Sequence, residues 1–127
     1  MTKFSYTIVF VRDMARSVAF YRDSLGVPLR FESPDWSEFV TGGCTLALHK
    51  AAAGSTPAVG ADNIPAGHCH VGFAVDDLDA FHERLTAGGV PCLRAPRMED
   101  FGAKMAVYAD PDGLPVTVTG PMPGAAA

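Results

Sequence analysis

His68, Cys69 and His70 open the segment HCHVGFAVDDLDAF, which runs from 68 to 81. Imidazole, thiolate and carboxylate are the side chains that hold zinc and iron, so this stretch raises the question of a metal centre and of where its partner ligands lie. The remaining chemistry-bearing candidates are few. His49 ends an apolar run, and Glu38, Glu99 and Asp100 are the acidic residues that a site built on His49 and His70 would draw on. Tyr6 and Tyr108 offer phenols, which can donate a hydrogen bond to a bound carbonyl or a developing oxyanion. Each also reads as a half-buried aromatic of the core. Cys69 alternates away from His70 and reads as a small buried cysteine. His82 falls outside the apolar stripe of its helix and is expected on the solvated side. The ADPDG run, 109–113, is turn chemistry: proline fixes one dihedral, glycine supplies another, and the carboxylates are expected to be structural. No G-x-S-x-G, P-loop or dinucleotide fingerprint is present.

These residues must be positioned by ordinary elements. The chain has 127 residues, 48% hydrophobic and 19% charged, the composition of a folded globular protein. The ten Lys and Arg are scattered in a chain of net charge −4, which argues against a nucleic-acid footprint. No apolar run approaches the ~18 residues of a membrane span, and the N-terminal MTKFSYTIVFVRDM does not read as a signal peptide. Three cysteines at irregular spacing fit reduced thiols and a cytoplasmic location better than a disulfide frame.

An internal repeat organises the chain. YTIVFVRDMARSVAFYRDSLGVPLRF (6–31) aligns with HVGFAVDDLDAFHERLTAGGVPCLRA (70–95), and TGGCTLALH (41–49) parallels DPDGLPVTVTG (110–120). Each half opens on a period-2 strand; in the first, Tyr6, Ile8 and Phe10 share one face and Thr7, Val9 and Val11 the other. Asp13 and Asp77 stand as N-caps. Val18, Tyr21 and Leu25 form the apolar stripe of the first helix, ended by Gly26. Leu78, Phe81 and Leu85 form that of the second, stopped by Gly88-Gly89. Strands follow at about 29–33, 36–41 and 45–50, then at 92–95, 103–109 and 116–119. The expected fold is α+β, β-α-β-β-β twice. The first module covers about 4–50 and the second about 68–120. A linker lies at 51–67 and a frayed tail at 121–127.

With VRDMARSVAFYRDSLGVPL after the first strand and FGAKMAVYADPDG before the last, the sequence resembles the vicinal oxygen chelate superfamily, the glyoxalase and bleomycin-resistance group. The resemblance covers about residues 4 to 120. It implies one domain in which the two sheets curl around a shared cavity. It also implies metal ligands on the first and last strand of each module, seven residues before the capping Asp and four after the turn Gly. Those positions hold Tyr6, Ala47, His70 and Thr117. One imidazole cannot replace the expected set of imidazoles and carboxylate, so no metal cofactor is expected. A shifted divalent-metal site on His49 and His70 is the alternative. The implied cavity is apolar: Tyr6, Ile8 and Phe10 on one side, His70, Gly72 and Ala74 on the other. Pro115, Thr117 and Thr119 add a hydrogen-bonding wall. Ala47 and His49 share the cavity side, and Trp36 and Phe101 lie in segments that could close over it. Two functions stay open. One is a homodimeric binding protein that sequesters a small apolar or aromatic organic molecule, as in drug resistance. The other is a metal-independent enzyme of lyase or isomerase type, with His70 as base and Tyr6 or Tyr108 as hydrogen-bond donor.

Overall fold

The computed structural model describes residues 1–54, 66 and 68–121. The chain divides into two compact units, Met1–Thr56 and Pro57–Ala127. The expectations for the linker and tail fall almost wholly on residues outside those described.

The first unit comprises strand β1 (Tyr6–Val11), helix α1 (Met14–Ala19) continued by a π-turn (Phe20–Ser24), and strands β2 (Leu29–Phe31), β3 (Trp36–Phe39) and β4 (Thr45–Lys50). The second comprises β5 (Val71–Ala74), α2 (Leu78–Ala87), β6 (Cys92–Met98), β7 (Lys104–Ala109) and β8 (Pro115–Thr119). Both sheets have the same order, β1-β4-β3-β2 and β5-β8-β7-β6. In each, the first and last strands of the module run parallel and the other pairs antiparallel. The β-α-β-β-β repeat is therefore observed twice, with one topology.

The caps work as their residue types dictate. Asp13 and Asp77 have extended backbones, and each Oδ1 accepts a bond from the amide three residues on, at 3.1 Å. Gly26 and Gly89 then take positive φ, 79° and 80°, which reverses the chain into the next strand with no Cβ to resist it. One difference from expectation lies in the first helix. Its second half widens to i→i+5 bonding, with the Leu25 amide donating to the Phe20 carbonyl at 3.0 Å. The consecutive aromatics Phe20 and Tyr21 are both buried, their rings edge to face at 5.0 Å. A regular α-turn separates neighbouring side chains by 100°, and the wider turn brings both rings to the core.

Each helix packs on one face of its sheet. In the first unit, Met14, Val18, Tyr21 and Leu25 pack with Val9, Val11, Phe39, Leu46 and Leu48 in the core, Tyr21 meeting Phe39 edge to face at 6.1 Å. In the second, Leu78, Phe81 and Leu85 pack with Val71, Ala106, Val116 and Val118. The ADPDG turn is structural as read: buried Asp110 accepts the amides of Asp112 and Leu114 through Oδ1, both at 2.9 Å, and Gly113 takes φ 83°. Among the described residues no helix is long and apolar enough to cross a membrane.

Candidate functional site

The face of the first sheet turned away from α1 carries most of the residues singled out in the sequence. Register pairs Tyr6 with Thr45, Ile8 with Ala47 and Phe10 with His49, and then Trp36 with His49 and Glu38 with Ala47. Opposed residues share a side of the pleat, so Tyr6, Ile8, Phe10, Trp36, Glu38, Ala47 and His49 lie on one face. The contrast along β1 is sharp: Tyr6, Ile8 and Phe10 are 51%, 44% and 63% exposed, whereas Val9 and Val11 are buried. Aromatic rings run across this face. Tyr6 meets Trp36 edge to face at 6.2 Å, Trp36 meets His49 at 5.9 Å, and His49 meets Phe10 at 5.3 Å.

One charged group stands within the rings. Trp36 Nε1 donates to Glu38 Oε2 at 2.8 Å, and Arg30 Nη1 donates to Oε1 at 3.3 Å. Both oxygens are thus oriented, while 13% of the Glu38 side chain remains accessible. His49 Nδ1 is 2.7 Å from the Lys50 carbonyl and donates to it, which fixes the ring against Phe10. Arg30 was not singled out in the sequence, and Glu38 was expected only as an acid for a site on His49 and His70. The legible signal was the alternation Trp36-Ser37-Glu38, which puts the indole and the carboxylate on one side of a strand.

In the second unit, the face away from α2 pairs Gly72 with Thr117, Ala74 with Thr119 and Thr117 with Val107. His70 is half-buried immediately before β5, two residues from Gly72. A Cβ added at Gly72 would meet only the Thr117 carbonyl and Cβ, at 3.9 and 4.0 Å, so that spot is small but not closed. Phe101 is not on this face. It is half-exposed in the β6–β7 turn, where the Gly102 amide donates to the Glu99 carbonyl. Glu99 is held by Arg97 at 3.2 Å and Arg94 at 3.7 Å, and Asp100 is exposed in the same turn.

Tyr108 is a correction. It is fully buried on the helix side of β7, its ring 6.2 Å from Phe81 and its hydroxyl 2.9 Å from His82 Nδ1. Burial, with Cys92 across the strand pair, pushes its phenol up to about 12. Register explains the misplacement: Val107, not Tyr108, is opposite Thr117, and Tyr108 is opposite the core residue Val116. Tyr108 is thus a packing residue, and His82 is half-buried as its partner rather than solvated. Cys69 is exposed, not buried, because it precedes the strand whose alternation would have turned it inward.

The sequence profile of the Glyoxalase/Bleomycin resistance protein/Dioxygenase superfamily matches residues 3–118. The chain belongs to this superfamily. A curated relative, metallothiol transferase FosB of Staphylococcus saprophyticus, is 27% identical over 106 residues. That match covers 81% of this chain and 66% of the relative, just under two thirds of its length. Among solved structures, a protein of unknown function from Agrobacterium tumefaciens is 27% identical with TM-score 0.77, covering 96% of each chain. A lactoylglutathione lyase from Agrobacterium tumefaciens, 24% identical with TM-score 0.71 and covering 94% of each chain, shares the fold.

Metal centres are frequent in this superfamily, and the residues present can be tested against one. The family ligand positions are equivalent in the two units. Ala47 is opposite Ile8, two residues beyond Tyr6, and Thr117 is opposite Gly72, two residues beyond His70. Their side chains are a phenol, a methyl, an imidazole and a secondary hydroxyl, which do not fit a divalent metal. Of the acids a shifted set would draw on, Glu38 accepts from Arg30 and Trp36, and Glu99 pairs with two arginines. Among the described residues no three His, Cys, Asp or Glu side chains converge.

Proposed function

We propose that the protein binds a small organic molecule with aromatic surface on the β1–β4–β3 face of its first unit, and sequesters it. The observation that carries this reading is the exposure of Tyr6, Ile8 and Phe10 beside Trp36 and His49 on a single sheet face. Contiguous exposed apolar surface of this kind marks interaction sites in soluble proteins. Rigid aromatic side chains give contact area at low entropic cost, and each well-placed ring pair adds about 0.5–1.5 kcal/mol beyond its burial. The free thiols at Cys44, Cys69 and Cys92 support a reducing compartment, and we assign the protein to the cytoplasm as a homodimer.

A second reading has one observation in its favour, the transferase activity named for the staphylococcal relative. In it the bound molecule is altered, with the Tyr6 phenol as proton donor, and no step is assigned to a metal. Both readings place the ligand against Ile8. Calorimetric titration with 2-naphthamide tests this: the unaltered protein should bind, and Ile8→Asp should weaken binding at least tenfold, about 1.4 kcal/mol. Equal affinities would remove this face from the function. Recovery of the ligand unchanged after prolonged incubation separates sequestration from turnover.

A further inference from the structure

We infer that Glu38 is the polar anchor of this face, and that the ligand class it selects is a flat aromatic cation carrying N–H donors, such as an aryl amidinium. The inference rests on the reading of the face as a binding platform and deepens it.

The Glu38 carboxylate is placed by secondary structure rather than by chance packing. On β3 it is two residues from Trp36, and the register sets it opposite Ala47, whose small side chain is fully buried. Its two donors arrive from its own sheet, the indole at 2.8 Å and the guanidinium at 3.3 Å. An ionised carboxylate has about four acceptor sites, so one bond to each oxygen leaves one further site on each. An amidinium carries two parallel N–H donors, the fork that can engage both oxygens of one carboxylate at once. The Arg30 contact is long and its side chain is half-exposed, so it offsets only part of the negative charge.

The surrounding rings favour the same class. A cation near the faces of Trp and Tyr is attracted by the ring quadrupole, and Trp36 and Tyr6 stand together on this face. A neutral amide of the same shape gains the stacking but not the charge. A carboxylate of the same shape meets Glu38 as a like charge. The other titratable and charged groups on this face are His49, Arg30 and Tyr6. His49 and Arg30 have cationic forms that oppose a cation, so Glu38 supplies the larger part of the preference and the rings the remainder.

The test is calorimetric titration of the full chain, at one fixed pH, with three isosteric probes: 2-naphthamidine, 2-naphthamide and 2-naphthoate. The amidinium should bind at least tenfold more tightly than the amide, and the carboxylate least. Glu38→Gln, which keeps an acceptor oxygen and the side-chain volume, should lower the amidinium-to-amide ratio at least fivefold and leave only the part that the rings supply. Arg30→Gln, which removes the competing cation, should raise that ratio, and it keeps the inference testable should Glu38→Gln fail to fold. Equal binding of amidinium and amide by the unaltered protein overturns the anchor but leaves the platform intact. A cation preference that Glu38→Gln leaves undiminished also overturns it. Binding of none of the three overturns the platform and the anchor together.

Discussion

Tyr108 shows how one hydroxyl links packing to pH. Its phenol is held neutral by burial, with an ordinary value near 10 raised to about 12. A raised pKa in the folded state means that the folded protein keeps a proton the unfolded chain loses. The contribution is complete below pH 10 and is lost as pH rises from about 10 towards 12. Tyr108→Phe removes the bond to His82 and should cost about 1 kcal/mol at neutral pH. It should also abolish this component of alkaline destabilisation, which urea unfolding at pH 8, 10 and 11 measures as a flatter profile for the variant. Ser17 is the opposite case. Its hydroxyl is fully buried in α1 and has no hydrogen-bond partner among the described residues. Ser17→Ala removes an unsatisfied polar group without creating a large cavity, and it should leave stability equal or raised by about 1 kcal/mol. A loss of 1 kcal/mol or more in the same unfolding assay would show that the hydroxyl has a partner.

At the scale of elements, the two helices begin on the same device. Asp13→Ala and Asp77→Ala each lose one bond to a first-turn amide and should each cost about 1 kcal/mol, by denaturant midpoint. Asn at either position should restore most of the loss, since its side-chain oxygen accepts the same bond. These caps were legible in the sequence because a carboxylate directly before an apolar 3.6-period has one common use. The strands were legible because alternation is a local signal: β4 begins and ends where the period-2 pattern does, and Tyr6, Ile8 and Phe10 separate cleanly from Val9 and Val11. Non-local facts were not legible. Which side of β7 Tyr108 occupies depends on its register with β8, and that register is set by the length of the ADPDG turn. The π-turn follows from burying Phe20 and Tyr21 together, a demand of the core rather than of the helix pattern. β6 runs on to Met98 through Pro96, past the expected end at Ala95, because as an edge strand it tolerates a missing donor and a register shift. Glu38 was visible only as a nearby acid, since its role depends on Arg30 arriving from the neighbouring strand.

At the scale of the whole molecule, the chain is two copies of one design with different faces. The first unit presents aromatic rings around a carboxylate, and the second presents glycine, alanine and threonine on the corresponding strands. Phe4 and Phe31 are also exposed, and covering such surface is a common reason for self-association. A homodimer of this 13.4 kDa chain should sediment at twice that mass at micromolar concentration, and a species of single mass would contradict the assignment. Whether the first unit's aromatic face receives the ligand is read residue by residue from chemical-shift mapping. Titration of isotopically labelled protein with 2-naphthamide should perturb Tyr6, Ile8, Phe10, Trp36, Ala47 and His49 together, with one saturation curve. Shifts confined to Tyr108 and His82, or no shift at all, would contradict binding at this face.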